Sequence, residues 1–253
     1  MKEPTEKDIE AAKVYLRQRI DAEMSMTYNL EIIMREAAEK IVSICYAVNV
    51  NPQNFRYEDL PLRTQREIDE VIQWLKETIE DYFETLAIAD HEENRDVLLP
   101  FILGENHGMT FEERLTDYCD KYKDELMLLV GAGLFLGIAK SALAKSIGDN
   151  LKHPYANQLL ADGIDAPLTY GRGRSNSMYN AIGNLTQFGI AQGWMENQYI
   201  NNRKDGCVGW YVMRGSSFPC EHCDSMVGFH TDQSELPPYH GHCRCFAVPV
   251  YVK

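Results

Sequence analysis

Four of the chain's seven cysteines fall within twenty-six positions near its C-terminal end, interleaved with histidines: Cys220-x2-Cys223-x16-His240-x-His242-Cys243-x-Cys245. A Cys-x2-Cys turn followed by a second, closely spaced His/Cys group is how a chain brings four soft ligands to one tetrahedral ion from two separate corners. Pro219 opens the turn that would carry Cys220 and Cys223. His240 and Cys243, three residues apart, would form the second corner, with Cys245 as the spare. His242 and Cys243 are neighbours and point to opposite sides of an extended backbone. His240 with Cys243, or Cys243 with Cys245, therefore completes a site better than His242 with Cys243. The pattern predicts a structural Zn2+ whose first choice of ligands is Cys220, Cys223, His240 and Cys243.

Other uses of the same residues can be weighed against this one. Disulfides need an oxidising compartment, and Met1-Lys2-Glu3-Pro4 does not read as the opening of a secretory signal. Small buried thiols suit the isolated Cys45, Cys119 and Cys207, but not four cysteines so close together. A nucleophilic cysteine with His222, His230 or His242 as its base requires the metal reading to fail, because a zinc-bound thiolate is not free to attack. Pro219-Cys-x-x-Cys223 is also half of the zinc deaminase signature, and His91-Glu-Glu93 matches the other half. His91 stands in an acidic run with no βαβ pattern around it, which makes that match coincidental. A nuclease arrangement would need a further Asp, Asn and His cluster after Cys245, and none precedes Lys253. Glu221 and Glu235 are the nearby glutamates, and neither has a recognised catalytic spacing.

The elements that must position this cluster follow from periodicity. Cys207–Met213 and Phe246–Val252 have the branched and aromatic content of strands, with Pro249 fit for an edge or a bulge. Together they would flank the cysteines and hold the two halves in place. Ahead of them, apolar residues at three- and four-residue steps (Ile9, Ala12, Leu16, Ile20, then Leu30, Ile33, Ala37, Ile41, Ile44) predict one long amphipathic helix or a broken pair from Glu6 to about Val48. A second helix carries Ile68, Val71, Leu75, Ile79, Phe83 and Leu86. Thr110-Phe-Glu-Glu113 is a capping box that starts a third, running toward Ile147. Pro154 and Pro167 mark a boundary between Gly148 and Gly173, and a further helix capped by Ser175 or Asn176 extends to about Tyr199. The expected fold is α+β: a predominantly helical N-terminal region (1–150) and a small zinc-stapled α+β module (151–253).

A formal net charge of −13 makes the average surface repel nucleic acid and anionic lipid. Tyr170–Ser177, with Arg172 and Arg174, is the best basic loop, but it lacks the lysine and spacing of a P-loop. Any contact with DNA is expected to be weak. Leu126–Ala139 is uncharged but shorter than the roughly 20 apolar residues a bilayer crossing needs. It reads as a buried helix, in which Gly133 and Gly137 would admit a neighbouring helix closely.

The order of features in the C-terminal part resembles the phage Mu F-like family of minor head proteins, also called head morphogenesis proteins. A helix of small and polar residues is followed by a strand ending in Arg214-Gly, then Cys220-x-x-Cys223, Gly228, and finally Pro237-Pro-Tyr-His240-Gly-His-Cys243-Arg-Cys245. The resemblance covers roughly 168–250 and rests most specifically on this last run. It implies a non-enzymatic virion or prohead component that associates with the portal protein and other head proteins and touches packaged DNA at most weakly. Such a protein would act in the host cytoplasm during assembly and stay in the virion head, with no membrane and no small-molecule substrate. The resemblance carries over Cys220, Cys223, His240, Cys243 and Cys245 as a metal-stabilised knot and leaves His242 without a role. The competing expectation is a zinc-dependent nucleic-acid hydrolase or deaminase.

Overall fold

The computed structural model describes residues 4–89, 91–106, 108–151, 178–216 and 219–251. Helix α1 (Glu6–Tyr46) is one unbroken rod. Thr5 accepts a hydrogen bond from the Asp8 N–H while the Asp8 carboxylate accepts one from the Thr5 N–H, so two otherwise unpaired donors are satisfied at its start. No Gly or Pro interrupts it. Helix α2 (Leu62–Ala87) follows, and it buries Ile68, Ile72, Leu75, Ile79 and Phe83 along one face. The short α3 (Arg95–Leu103), absent from the sequence expectations, contains Pro100.

Helix α4 (Phe111–Phe135) begins at the expected capping box, Thr110 with Glu113. It does not run to Ile147. Gly137 adopts φ +66°, the left-handed conformation that glycine reaches without strain. The Gly137 N–H bonds the Leu134 carbonyl and the Ile138 N–H bonds the Gly133 carbonyl, which is the Schellman closure of a helix C-terminus. A new helix, α5 (Lys140–Asn150), starts after it. The Leu126–Ala139 segment is accordingly not a buried helix throughout. Leu126, Met127 and Val130 are buried, while Leu128, Phe135 and Leu136 are exposed. Helix α6 spans Met178–Lys204; Ser175 and Asn176, expected to cap it, and the Tyr170–Ser177 loop lie outside the described residues. Among the described residues no helix is long and apolar enough to cross a membrane.

The main core draws on α1, α2, α4, α5 and α6 together. Met34, Ile41, Leu75, Phe83, Leu115, Leu126 and Ile182 are all fully buried in it, and Phe83 stacks on Phe111 with centroids 4.1 Å apart. The helix expected to open the C-terminal module is therefore packed inside the helical bundle.

The sheet has three antiparallel strands in the order β2-β1-β3: β1 (Cys207–Met213), β2 (Gly228–His230) and β3 (Phe246–Tyr251). Both expected strands form, β2 adds a third, and Pro249 lies on an edge strand, as expected. Strand alternation divides the faces. Phe246 and Val248, with Tyr211 and Met213, pack on Ala12, Leu16 and Ile20 of α1. Ala247 and Trp210 pack on Met195 and Tyr199 of α6. The sheet is thus gripped between the first and the last long helices of the bundle.

Candidate metal centre

The ladder between β1 and β3 ends with Met213 opposite Phe246. Cys245 immediately precedes Phe246, so this end of the ladder sets one corner of the cluster. The other corner is a turn of helix, α7 (Glu221–Ser225), capped at Cys220 and holding Cys223. Between them the chain passes β2 and the cis Pro237–Pro238 peptide, then turns at His240, where the Cys243 N–H bonds the His240 carbonyl at 3.2 Å.

These turns bring all five predicted residues together. Their ligand atoms form two groups, Cys220 with Cys223 and His240, and Cys223 with Cys243 and Cys245, with all atoms inside each group within 4.8 Å of one another. Cys223 belongs to both. The His240 Nε2 lies 3.5 Å from the Cys220 Sγ and 3.1 Å from the Cys223 Sγ. A tetrahedral zinc with ordinary bond lengths separates a sulfur and a nitrogen ligand by about 3.6 Å, so this edge is near the size required. The His240 Nδ1 is 2.7 Å from the Gly241 carbonyl. A proton on Nδ1 satisfies that carbonyl and turns the Nε2 lone pair toward the thiols, the usual way a chain orients a metal-binding histidine.

Cys223, Cys243 and Cys245 are buried, in an apolar shell formed by Val212, Leu236 and Tyr239. Cys220 and His240 are half-buried. The hydrogen bond with Cys223 holds Cys243 far below the usual thiol range, helped by the bond with Cys245 and the charge of Arg19. Cys223 and Cys245 are pushed up correspondingly, each first through its hydrogen bond with Cys243 and then by burial. Cys220 is lowered, chiefly by the backbone N–H of Cys223. Burial pulls His240 toward neutrality, but the Gly241 carbonyl and the surrounding cysteines outweigh it and raise its pKa. Crowding thus favours some of these thiolates at the expense of others. A divalent cation would let more of them ionise.

Among the described residues, His242, His222, His230, His91 and Glu235 point elsewhere. His242, at φ +60°, turns its ring to Asn184 on α6, 3.0 Å away. His222 sits edge-on against Tyr239, and His230 bridges Glu235 at 3.0 Å and the Met226 carbonyl at 2.9 Å. His91 packs against Trp194 and Tyr15. Neither metal-capable group includes a carboxylate or His91.

One part of the site was not anticipated. Arg19 and Glu23 on α1 and Arg244 between the last two cysteines are buried together, and Arg19 donates to the Cys243 carbonyl at 2.5 Å. The signal was present in the stripe from Leu16 to Leu30: Arg19 and Glu23 occupy steps of it that apolar residues would normally fill.

Set against known proteins, the chain matches no family model, no curated protein and no solved structure.

Proposed function

We propose that this chain is a phage or prophage minor head protein acting in head morphogenesis, with a structural zinc ion holding its C-terminal knot. The observation that carries the proposal is the enclosed Cys/His cluster at the foot of the sheet, formed by the same residues that carry the resemblance to the Mu F-like family. Its thiol and imidazole donors suit zinc, and the His240 Nδ1 lies 2.7 Å from the Gly241 carbonyl, which leaves Nε2 for the ion. Cys220, Cys223, His240 and Cys243 are the first choice of ligands, and Cys245 is the alternative to Cys243. When bound, the ion supplies a cross-link between the α7 turn and the approach to β3. No carboxylate belongs to the cluster, and buried cysteines surrounded by apolar side chains favour a closed structural centre over one with an open position for water. The chain then works through its surface, on the portal protein and other head proteins, in the host cytoplasm during assembly and afterwards in the virion head. Contact with packaged DNA is weak, as the acidic balance requires.

Complementation of a phage or prophage deleted for this gene tests the reading. Cys223→Ser is expected to give particles defective in assembly, DNA content or infectivity. Glu221→Gln and Glu235→Gln are expected to leave them normal, because neither carboxylate transfers a proton. Turnover of a nucleotide or nucleic acid that is lost in a folded glutamate variant would instead establish the zinc-dependent hydrolase or deaminase.

A further inference from the structure

Three charged side chains are buried beside the cluster. Arg19, Glu23 and Arg244 are 0%, 3% and 3% exposed. The Arg19 Nε is 3.1 Å from one carboxylate oxygen of Glu23, and the Arg244 Nη1 donates to the other at 2.9 Å. Two guanidinium groups therefore share one carboxylate, which leaves one positive charge in excess. The Arg19 Nε and Nη1 and the Arg244 Nε and Nη2 are buried and make no hydrogen bond among the described residues, and the Glu23 Oε1 accepts none, so Arg19 and Glu23 are held as an ion pair only. Arg214, the other guanidinium close to these cysteines, is ion-paired with Asp224, and the two cancel. A buried charge without a counter-charge is strongly unfavourable, as are buried donors without acceptors. The triad therefore calls for an anion beside it.

The cluster can be that anion. Arg244 lies in the chain between Cys243 and Cys245, and Arg19 is fastened to the Cys243 carbonyl. A divalent ion with two thiolates and two imidazoles is neutral, with three thiolates and one imidazole it carries one negative charge, and with four thiolates it carries two. Only the second matches an excess of one positive charge. We infer that the metal centre is anionic, with three thiolates and His240 around one divalent ion (Cys220, Cys223 and Cys243 as first choice, Cys245 the alternative to Cys243), and that Arg19, Glu23 and Arg244 form its counter-charge on the side of α1. The inference rests on the zinc reading above and adds its ligand charge and a positioning role for Arg19.

The test is Zn2+ affinity of the full chain, measured by competition with a chelator, together with Co2+ uptake followed by visible absorption. Arg19→Met leaves the triad neutral and is expected to weaken Zn2+ binding about 10- to 100-fold, as loss of a supporting partner around a metal centre does. Adding Glu23→Gln to Arg19→Met restores one positive charge through Arg244 and is expected to recover most of the affinity. A role in packing alone predicts the opposite, with the double variant at or below the single one. Parental affinity in Arg19→Met, or no recovery in the double variant, overturns the inference. If Arg19→Met loses its helical circular dichroism, Glu23→Gln alone decides: affinity at or above the parent supports a counter-charge, and a loss overturns it. A parent chain that gives no thiolate–Co2+ bands refutes the metal reading itself. Parental bands with an indifferent Arg19→Met refute only the counter-charge.

Discussion

Gly215 lies where the chain leaves β1 for the cysteine turn, and replacing it with alanine perturbs the seat of the knot without touching a ligand. A Cβ at this position would overlap the Arg244 carbonyl oxygen and stand 2.7 Å from a Leu16 methyl, where ordinary contact begins at 3.4 Å. The Leu16 side chain must therefore give by about 0.7 Å, the difference between those distances. The carbonyl has no such freedom, because Arg244 is tied through Glu23 to α1. Overpacking a filled site costs about 1–3 kcal/mol, and displaced backbone places this case at the upper end. A loss of about 3 kcal/mol lowers the folded-to-unfolded ratio around the knot roughly 100-fold. The assay is alkylation of thiols with mass-spectrometric site assignment, beside urea denaturation. Cys45 and Cys119, in the bundle core, are expected to stay protected. Cys223, Cys243 and Cys245 are expected to become reactive in Gly215→Ala. Parental protection and a parental denaturation midpoint would refute the close seating of the loop on Arg244 and Leu16.

Phe83→Ala removes a fully buried ring stacked on Phe111 and is expected to cost about 3–5 kcal/mol in urea denaturation of the bundle, with the metal site still able to take up zinc. Zinc binding is expected to weaken as pH falls, because Cys223, whose pKa is raised by its hydrogen bond with Cys243 and by burial, must lose its proton to become a ligand. Calorimetry in buffers of different ionisation enthalpy would count the released protons, and binding independent of pH would contradict this. Cys245→Ser is expected to keep most of the zinc affinity and Cys243→Ser to lose it; the reverse result would exchange their roles.

Much of this architecture could be read from local signals. The stripe of α1, the α2 face, the Thr110–Glu113 box and the two strands around the cysteines are each set by residues close in sequence, and the structure forms them. The end of α4 was hidden because glycine suits both close helix packing and a left-handed cap, and only the backbone conformation of Gly137 distinguishes them. Helix α3 was hidden behind Pro100 and an acidic run. The five cysteine and histidine residues were visible from spacing alone, since two short turns are enough to bring each pair together. Their neighbours Arg19 and Glu23 were not, because an Arg and a Glu four residues apart ordinarily make an exposed helix pair. Their burial depends on Arg244, more than two hundred residues away in the chain, closing over the same carboxylate.

Elemental analysis of the full chain, purified without chelator, tests the central claim most directly when combined with a count of reactive thiols under native conditions. The account predicts one zinc per chain, with the C-terminal cysteines protected until a chelator removes the metal and reactive afterwards, while most helical circular dichroism persists. Protein that holds no zinc, and whose C-terminal cysteines show the same reactivity with and without chelator, would contradict it.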